Sequence, residues 1–149
     1  MPGRSDAREA VLQILYEEDL NPGQVGSRDM DFFRERLEGH RELVAFAQGL
    51  LEGVRANREK LDEALSPRTR NWTLERMAVT DRNCLRLGAF ELLHTDTPGP
   101  VVVNELVEVA KRYGSAESAG FVNAILDRLR GDLDQGPVSH DSQQPVGEQ

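Results

Sequence analysis

The stretch Glu42–Leu65, ELVAFAQGLLEGVRANREKLDEAL, decides the fold. Its apolar residues Leu43, Phe46, Ala47, Leu50, Leu51, Val54, Leu61 and Leu65 recur at intervals of three and four, one face of an α-helix sustained over roughly six turns. Ser66-Pro67 ends it, because proline lacks the next backbone donor and clashes with the preceding turn. Working backward, Ala7, Val11, Ile14 and Leu15 keep the same spacing behind a cap at Ser5 or Asp6, and Asn21-Pro22-Gly23 stops that helix. Between the two, Met30, Phe32, Phe33 and Leu37 predict a short helix closed near Gly39.

Working forward, Asn71-Trp72-Thr73-Leu74 reads as an opening turn, with Thr73 capping a short helix and Trp72 packed beneath it as a core anchor. Thr80 or Asp81 opens the next helix, through Cys84, Leu85, Leu87, Ala89, Leu92 and Leu93. Pro98-Gly99-Pro100 is a firm break. Val101 to Val103 would suit a strand in isolation, yet Val103, Leu106, Val107 and Ala110 continue at helical spacing to Tyr113, with Gly114 as a left-handed stop. Ser115 or Ser118 caps a last helix with Phe121, Val122, Ile125, Leu126 and Leu129 turned inward. Strict alternation of apolar and polar residues is absent, so the fold class is all-α, with six or seven helices.

A chain of 149 residues suits one domain. The helical pattern covers residues 1–130, and residues 131–149, rich in Gly, Pro, Ser, Asp and Gln, read as a disordered acidic tail. Formal charge is −8; without the four acids of that tail, residues 1–130 still hold 22 acids against 18 bases. A broad basic surface that grips nucleic acid alone is therefore excluded. Lys60 and Lys111 are the only lysines, and the remaining bases are arginines, whose flat donor fork suits phosphates and carboxylates. No apolar run reaches membrane-spanning length and Met1 to Asp6 has no signal-peptide character, so a cytoplasmic protein without membrane contact is expected.

Catalytic patterns are missing. The single cysteine, Cys84, lies in an apolar helical stripe; His40, His94 and His140 are isolated, and no glycine loop, nucleophile elbow or zinc spacing occurs. Neither an enzyme, a cofactor nor a metal site is expected.

Four blocks carry a resemblance. They are Ala7-Arg8-Glu9-Ala10 with Leu15-Tyr16; Asp81-Arg82-Asn83 leading to Leu85-Arg86-Leu87 and Phe90-Glu91-Leu92; Val103 to Lys111; and Phe121-Val122-Asn123-Ala124-Ile125-Leu126-Asp127. In order and spacing they resemble the NusB family over about Asp6 to Arg130, the last two being the most specific. The resemblance implies two small helical bundles in one body and transcription antitermination. The partners it implies are ribosomal protein NusE, boxA-containing RNA and the RNA polymerase antitermination complex, in support of ribosomal RNA transcription. It also admits a homodimer.

Carried over by resemblance, the RNA-binding residues are Arg4, Arg8, Tyr16 and Phe121, and the partner-binding residues are Tyr16, Glu91 and Glu117. The family's N-terminal arginine cluster is thin here, since Ser5 and Asp6 stand between Arg4 and Arg8. Fewer phosphate contacts imply greater dependence on the partner. Arg4 reads equally as a solvated charge, and Tyr16 equally as a base-stacking or a packing residue. The apolar stripe around Phe121 favours core packing, and solvation is the simpler reading of Glu117. Asn104, Glu105 and Asn123 read as structural, while Lys111, Arg112 and Arg128 offset helix dipoles or line an RNA path. Two other functions are admitted: the NusB-like domain of an RNA cytosine methyltransferase, for whose catalytic domain 149 residues leave no room, and a helical dimerisation module that has lost RNA binding.

Overall fold

A computed structural model describes residues 1–23, 28–70 and 72–143, with side chains through Asp134. Six α-helices follow one another: α1 (Arg4–Leu20), α2 (Asp29–Arg36), α3 (Arg41–Leu65), α4 (Val79–His94), α5 (Gly99–Tyr113) and α6 (Ser118–Gln143). Two single 3₁₀ turns, Ser66–Arg68 and Leu74–Arg76, join α3 to α4, and no strand occurs among the described residues.

Local chemistry explains the boundaries. The Gly3 N–H donates to Asp6 Oδ2 at 2.8 Å, so Asp6 serves the start of α1 from inside its first turn, where a carboxylate also meets the positive end of the helix. Both Glu38 and Gly39 take positive φ after α2, and the Gly39 N–H turns back to the Arg34 carbonyl at 2.8 Å. Within α3 the apolar pattern pauses between Val54 and Leu61. There Asn57 leaves helical geometry (φ −112°, ψ 15°), and its Nδ2 donates to the Gly53 carbonyl at 2.8 Å.

The helices form two groups, α1–α3 and α4–α6, that share one apolar core. Their junction is α4, which touches α1, α3, α5 and α6. Every residue from Asn83 to Ala89 is consequently buried, as befits a helix with neighbours on all sides. Each fully buried leucine here, such as Leu85 or Leu87, contributes about 2 kcal/mol of apolar transfer. Close approach of α3 to α4 depends on Gly53, where a Cβ would stand 2.0 Å from Phe90 Cζ.

Four sequence expectations are revised. Trp72 is exposed (56 %), because Leu74 and Met77 take the buried places under the α3–α4 connection and leave the indole on the surface, edge-on to Phe121 at 6.4 Å. Gly114 is extended (φ −98°, ψ −167°), not left-handed; glycine is needed for space, since a Cβ would lie 2.4 Å from Ser118 Oγ and 2.7 Å from the Ala110 carbonyl. The Pro98–Pro100 break is shorter than predicted: α5 starts at Gly99, and Pro100 fits its first turn, where no backbone donor is required. Finally, α6 continues past the boundary drawn at Arg130. Leu133 extends the inward stripe one turn beyond Leu129, and Asp132 Oδ2 lies 2.8 Å from Arg68 Nε. Residues 144–149 of the predicted tail lie outside the described residues.

Candidate nucleic-acid and partner interface

Arg8 and Glu91 meet where α1 crosses α4. Arg8 Nε donates to Glu91 Oε2 and Nη2 to Oε1, both at 2.7 Å, a bidentate pair whose members are only 2 % and 0 % exposed. Arg8 Nη1 adds a bond of 3.3 Å to Glu105 Oε1 on α5, which also accepts from the Ser5 hydroxyl at 2.5 Å. One guanidinium thus ties three helices together. The sequence assignments of Arg8 to RNA and Glu91 to a partner are corrected accordingly: each is the other's partner, and both are buried.

Arg4, one turn earlier on α1, is exposed. Its guanidinium carbon lies 4.3 Å from the centroid of the half-buried Phe46 ring on α3, while that of Arg8 lies 5.3 Å from the same ring. The arrangement floors a groove of about 800 Å³ between the start of α1, α3 and the α4–α5 connection.

Tyr16 belongs elsewhere. Partly exposed (44 %), it lines a cleft of about 340 Å³ with Glu9, Arg36, Asn83 and Tyr113, where α1 meets α2, α4 and α5. Glu9 organises that cleft: it is buried, accepts from the Tyr113 hydroxyl at 2.9 Å and from Arg112, and lies 3.8 Å from Arg36. Arg112, expected at a dipole or an RNA path, is therefore held by α1.

Phe121 forms a third place, half-buried at the start of α6 beneath Trp72. The α3–α4 connection beside it carries Arg68, Arg70 and Arg76, and Arg128 Nη1 donates to the Arg68 carbonyl at 2.9 Å. Glu117 is exposed in the turn before α6, with the Ser115 hydroxyl 3.4 Å from its carboxylate. Asn104 and Asn123 are exposed, and Lys111 lies 3.8 Å from Glu108.

The structure therefore brings Arg4 and Arg8 to one groove, leaves Glu91 buried behind it, and places Tyr16 and Phe121 at separate sites. Sequence reasoning missed Phe46, taken as core, and Trp72, whose exposure was signalled only by the interleaving of Arg68, Arg70 and Arg76 with an aromatic. Most other arginines are held by carboxylates: Arg86 forks onto Asp62 at 2.8 and 2.9 Å, and Arg82 meets Asp19 at 3.0 Å. Arg4, Arg28, Arg41, Arg70, Arg76 and Arg128 form no ion pair among the described residues. Burial, with Asp81 nearby, pushes the Cys84 thiol up to about 12, so it stays protonated and packs as a small hydrophobe. His94 stacks on Phe90 with ring centroids 5.2 Å apart. Among the described residues no helix is long and apolar enough to cross a membrane.

A small all-α bundle in two groups about a shared helix, with polar clefts at its helix junctions, is the class of molecule these elements define. The NusB family model matches residues 5–130, and the chain belongs to the NusB family, whose members are transcription antitermination proteins and not enzymes. The transcription antitermination protein NusB of Anaeromyxobacter dehalogenans is 43 % identical over 130 residues, covering 87 % of this chain and 92 % of the relative. That of Sorangium cellulosum is 43 % identical over 142 residues, covering 95 % and 99 %. Among solved structures, T. maritima NusB superposes with a TM-score of 0.79 at 31 % identity, covering 88 % of this chain and 92 % of that one. A chain of a crystal structure of antitermination factors NusB and NusE in complex with dsRNA gives a TM-score of 0.69 at 25 % identity, covering 86 % and 96 %.

Proposed function

We propose that this protein acts in transcription antitermination by pairing with the ribosomal protein NusE and binding boxA-like RNA, in support of ribosomal RNA transcription. The observation that carries the reading is the fold match to a chain of the crystal structure of antitermination factors NusB and NusE in complex with dsRNA, spanning nearly all of that chain. On an acidic body, the cations without carboxylate partners among the described residues include Arg4 beside Phe46, and Arg70 and Arg76 on the connection that exposes Trp72. Arginines of this kind position the RNA backbone, and exposed aromatics stack on unpaired bases. With Arg8 internal, Arg4 is the N-terminal arginine left for phosphate, so RNA affinity rests on a surface completed by NusE. Tyr16 and its cleft supply the partner contact in place of the buried Glu91, and Glu117 lies at the edge of the Trp72–Phe121 site, where its charge lowers RNA affinity.

Trp72 is the only tryptophan, so its fluorescence reports directly on the Phe121 site. Titrating the NusE complex with boxA RNA and with a scrambled sequence at physiological salt is expected to quench it at lower concentration for boxA. Equal response to both sequences, or no complex with NusE, refutes the proposal.

A further inference from the structure

The groove beneath Arg4 has a composition that the ion pairs behind it do not require. Arg8 is already held by Glu91 and Glu105, and Phe46 is not needed to hold it. Phe46 nonetheless offers part of its ring to the groove, covered by the guanidinium of an exposed arginine that has no carboxylate partner among the described residues. A planar cation on an aromatic face marks a surface that also accepts a planar base, since the two stack on the same π-system. The groove, at about 800 Å³, is roomy enough for a nucleotide and open on one side. Its far wall carries the exposed Asp96 of the α4–α5 connection. A carboxylate there repels phosphate and accepts a hydrogen bond from an exocyclic amino group.

We infer that this groove is a subsite for one unpaired RNA nucleotide, in which the base replaces Arg4 on the Phe46 ring and the displaced Arg4 pairs with the adjoining phosphate. The inference rests on the RNA-binding function proposed above and adds a third stacking position, remote from the Tyr16 and Phe121 sites. Asp96 makes the subsite prefer a base that bears an amino group, adenine, cytosine or guanine, over uracil. Glu105 also lines the groove, but its Oε1 is already taken by Arg8 and Ser5, which leaves the exposed Asp96 as the carboxylate without an intramolecular bond among the described residues.

The test is a double-mutant cycle on the complex with NusE, using a boxA RNA oligonucleotide and a set carrying one abasic nucleotide at each position in turn. For the unaltered protein, one abasic position outside those that quench Trp72 is expected to weaken binding about tenfold, the size of one lost base stack. The same position is expected to have no effect on a Phe46→Leu variant and its full effect on Phe46→Trp. Arg4→Ala is expected to lower the salt dependence of binding by about one phosphate. Retained NusE affinity and an unchanged helical spectrum guard against misfolding of Phe46→Leu, and Phe46→Trp keeps the question open to refutation if that guard fails. If no abasic position couples to residue 46 while boxA still binds, the subsite is wrong and the proposed function stands. If boxA does not bind at all, both are wrong.

Discussion

Replacing Arg8 by alanine separates the two roles available to it. In the structure the guanidinium supplies two bonds of 2.7 Å to a carboxylate that is 0 % exposed, plus one of 3.3 Å to Glu105, which water reaches (25 % exposed). Removing one partner of such a buried pair leaves an uncompensated charge and costs about 3–5 kcal/mol. The bond to the wetter Glu105 adds little, about 0–1 kcal/mol. With a urea slope of about 1.5 kcal/mol per molar for a domain of this size, the unfolding midpoint of Arg8→Ala should fall by about 2–3 M. Glu91→Gln is milder, about 1–3 kcal/mol, because Arg8 keeps Glu105 and one oxygen, the amide's, as acceptors. The pair Arg8→Met with Glu91→Leu should recover much of the loss, since well-packed apolar residues replace a buried ion pair at little cost. Urea unfolding followed by circular dichroism gives the midpoints, and RNA titrations at several salt concentrations give the second readout. A midpoint shift below about 0.5 M, or a salt slope reduced by about one unit in Arg8→Ala, would show that the guanidinium serves RNA and refute the structural role.

Three further outcomes follow from particular contacts. Burial pushes the Asp19 carboxyl up, but hydrogen bonds from Arg82 and Asn83 and the charges of Arg82 and Arg58 outweigh it and hold it below the ordinary carboxylate value. Its stabilisation is therefore present above the unfolded value of about 3.9 and lost as pH falls through the folded one, so Asp19→Asn should be less stable at pH 6 and the gap should narrow below about pH 4; a gap independent of pH contradicts this. Gly53→Ala drives a Cβ toward Phe90 Cζ and should lower stability by about 1–3 kcal/mol in thermal unfolding, whereas an unchanged midpoint would mean the ring moves freely aside. Cys84, buried and protonated, should resist a thiol reagent in the folded protein and react only at the unfolding rate; rapid modification at neutral pH would overturn its placement in the core.

Much of the fold was legible because helix faces repeat locally. The α3 stripe predicted that helix to within a residue at its start, and the interruption after Val54 falls where Asn57 bends it. Val103, Leu106, Val107 and Ala110 outweighed the strand preference of three successive valines, and α5 is helical. What local spacing conceals is the identity of partners far along the chain. Arg8 looks like a charge at a helix start, and only the approach of α4 supplies Glu91, 83 positions away, to bury it. Trp72 misled for the opposite reason: side-chain size argues for burial, but Leu74 and Met77 occupy the space available to a short connection. The added turn of the buried α6 stripe depends on Leu133 completing it through a glycine, a continuation hidden by the polar residues around it.

A helix enclosed by four others sets how the molecule can come apart. Since α4 lines the core of both groups, freeing either one strips water-shy surface from the other, and the two melt as one cooperative unit. Amide protons at the centre of α4 can exchange with solvent only when the whole chain opens, and a fragment cut on either side of it inherits half an interior. The bundle is thus divisible on paper and indivisible in water, and the surfaces proposed to bind, carried by α1, α3, the α3–α4 connection and α6, would appear or vanish together.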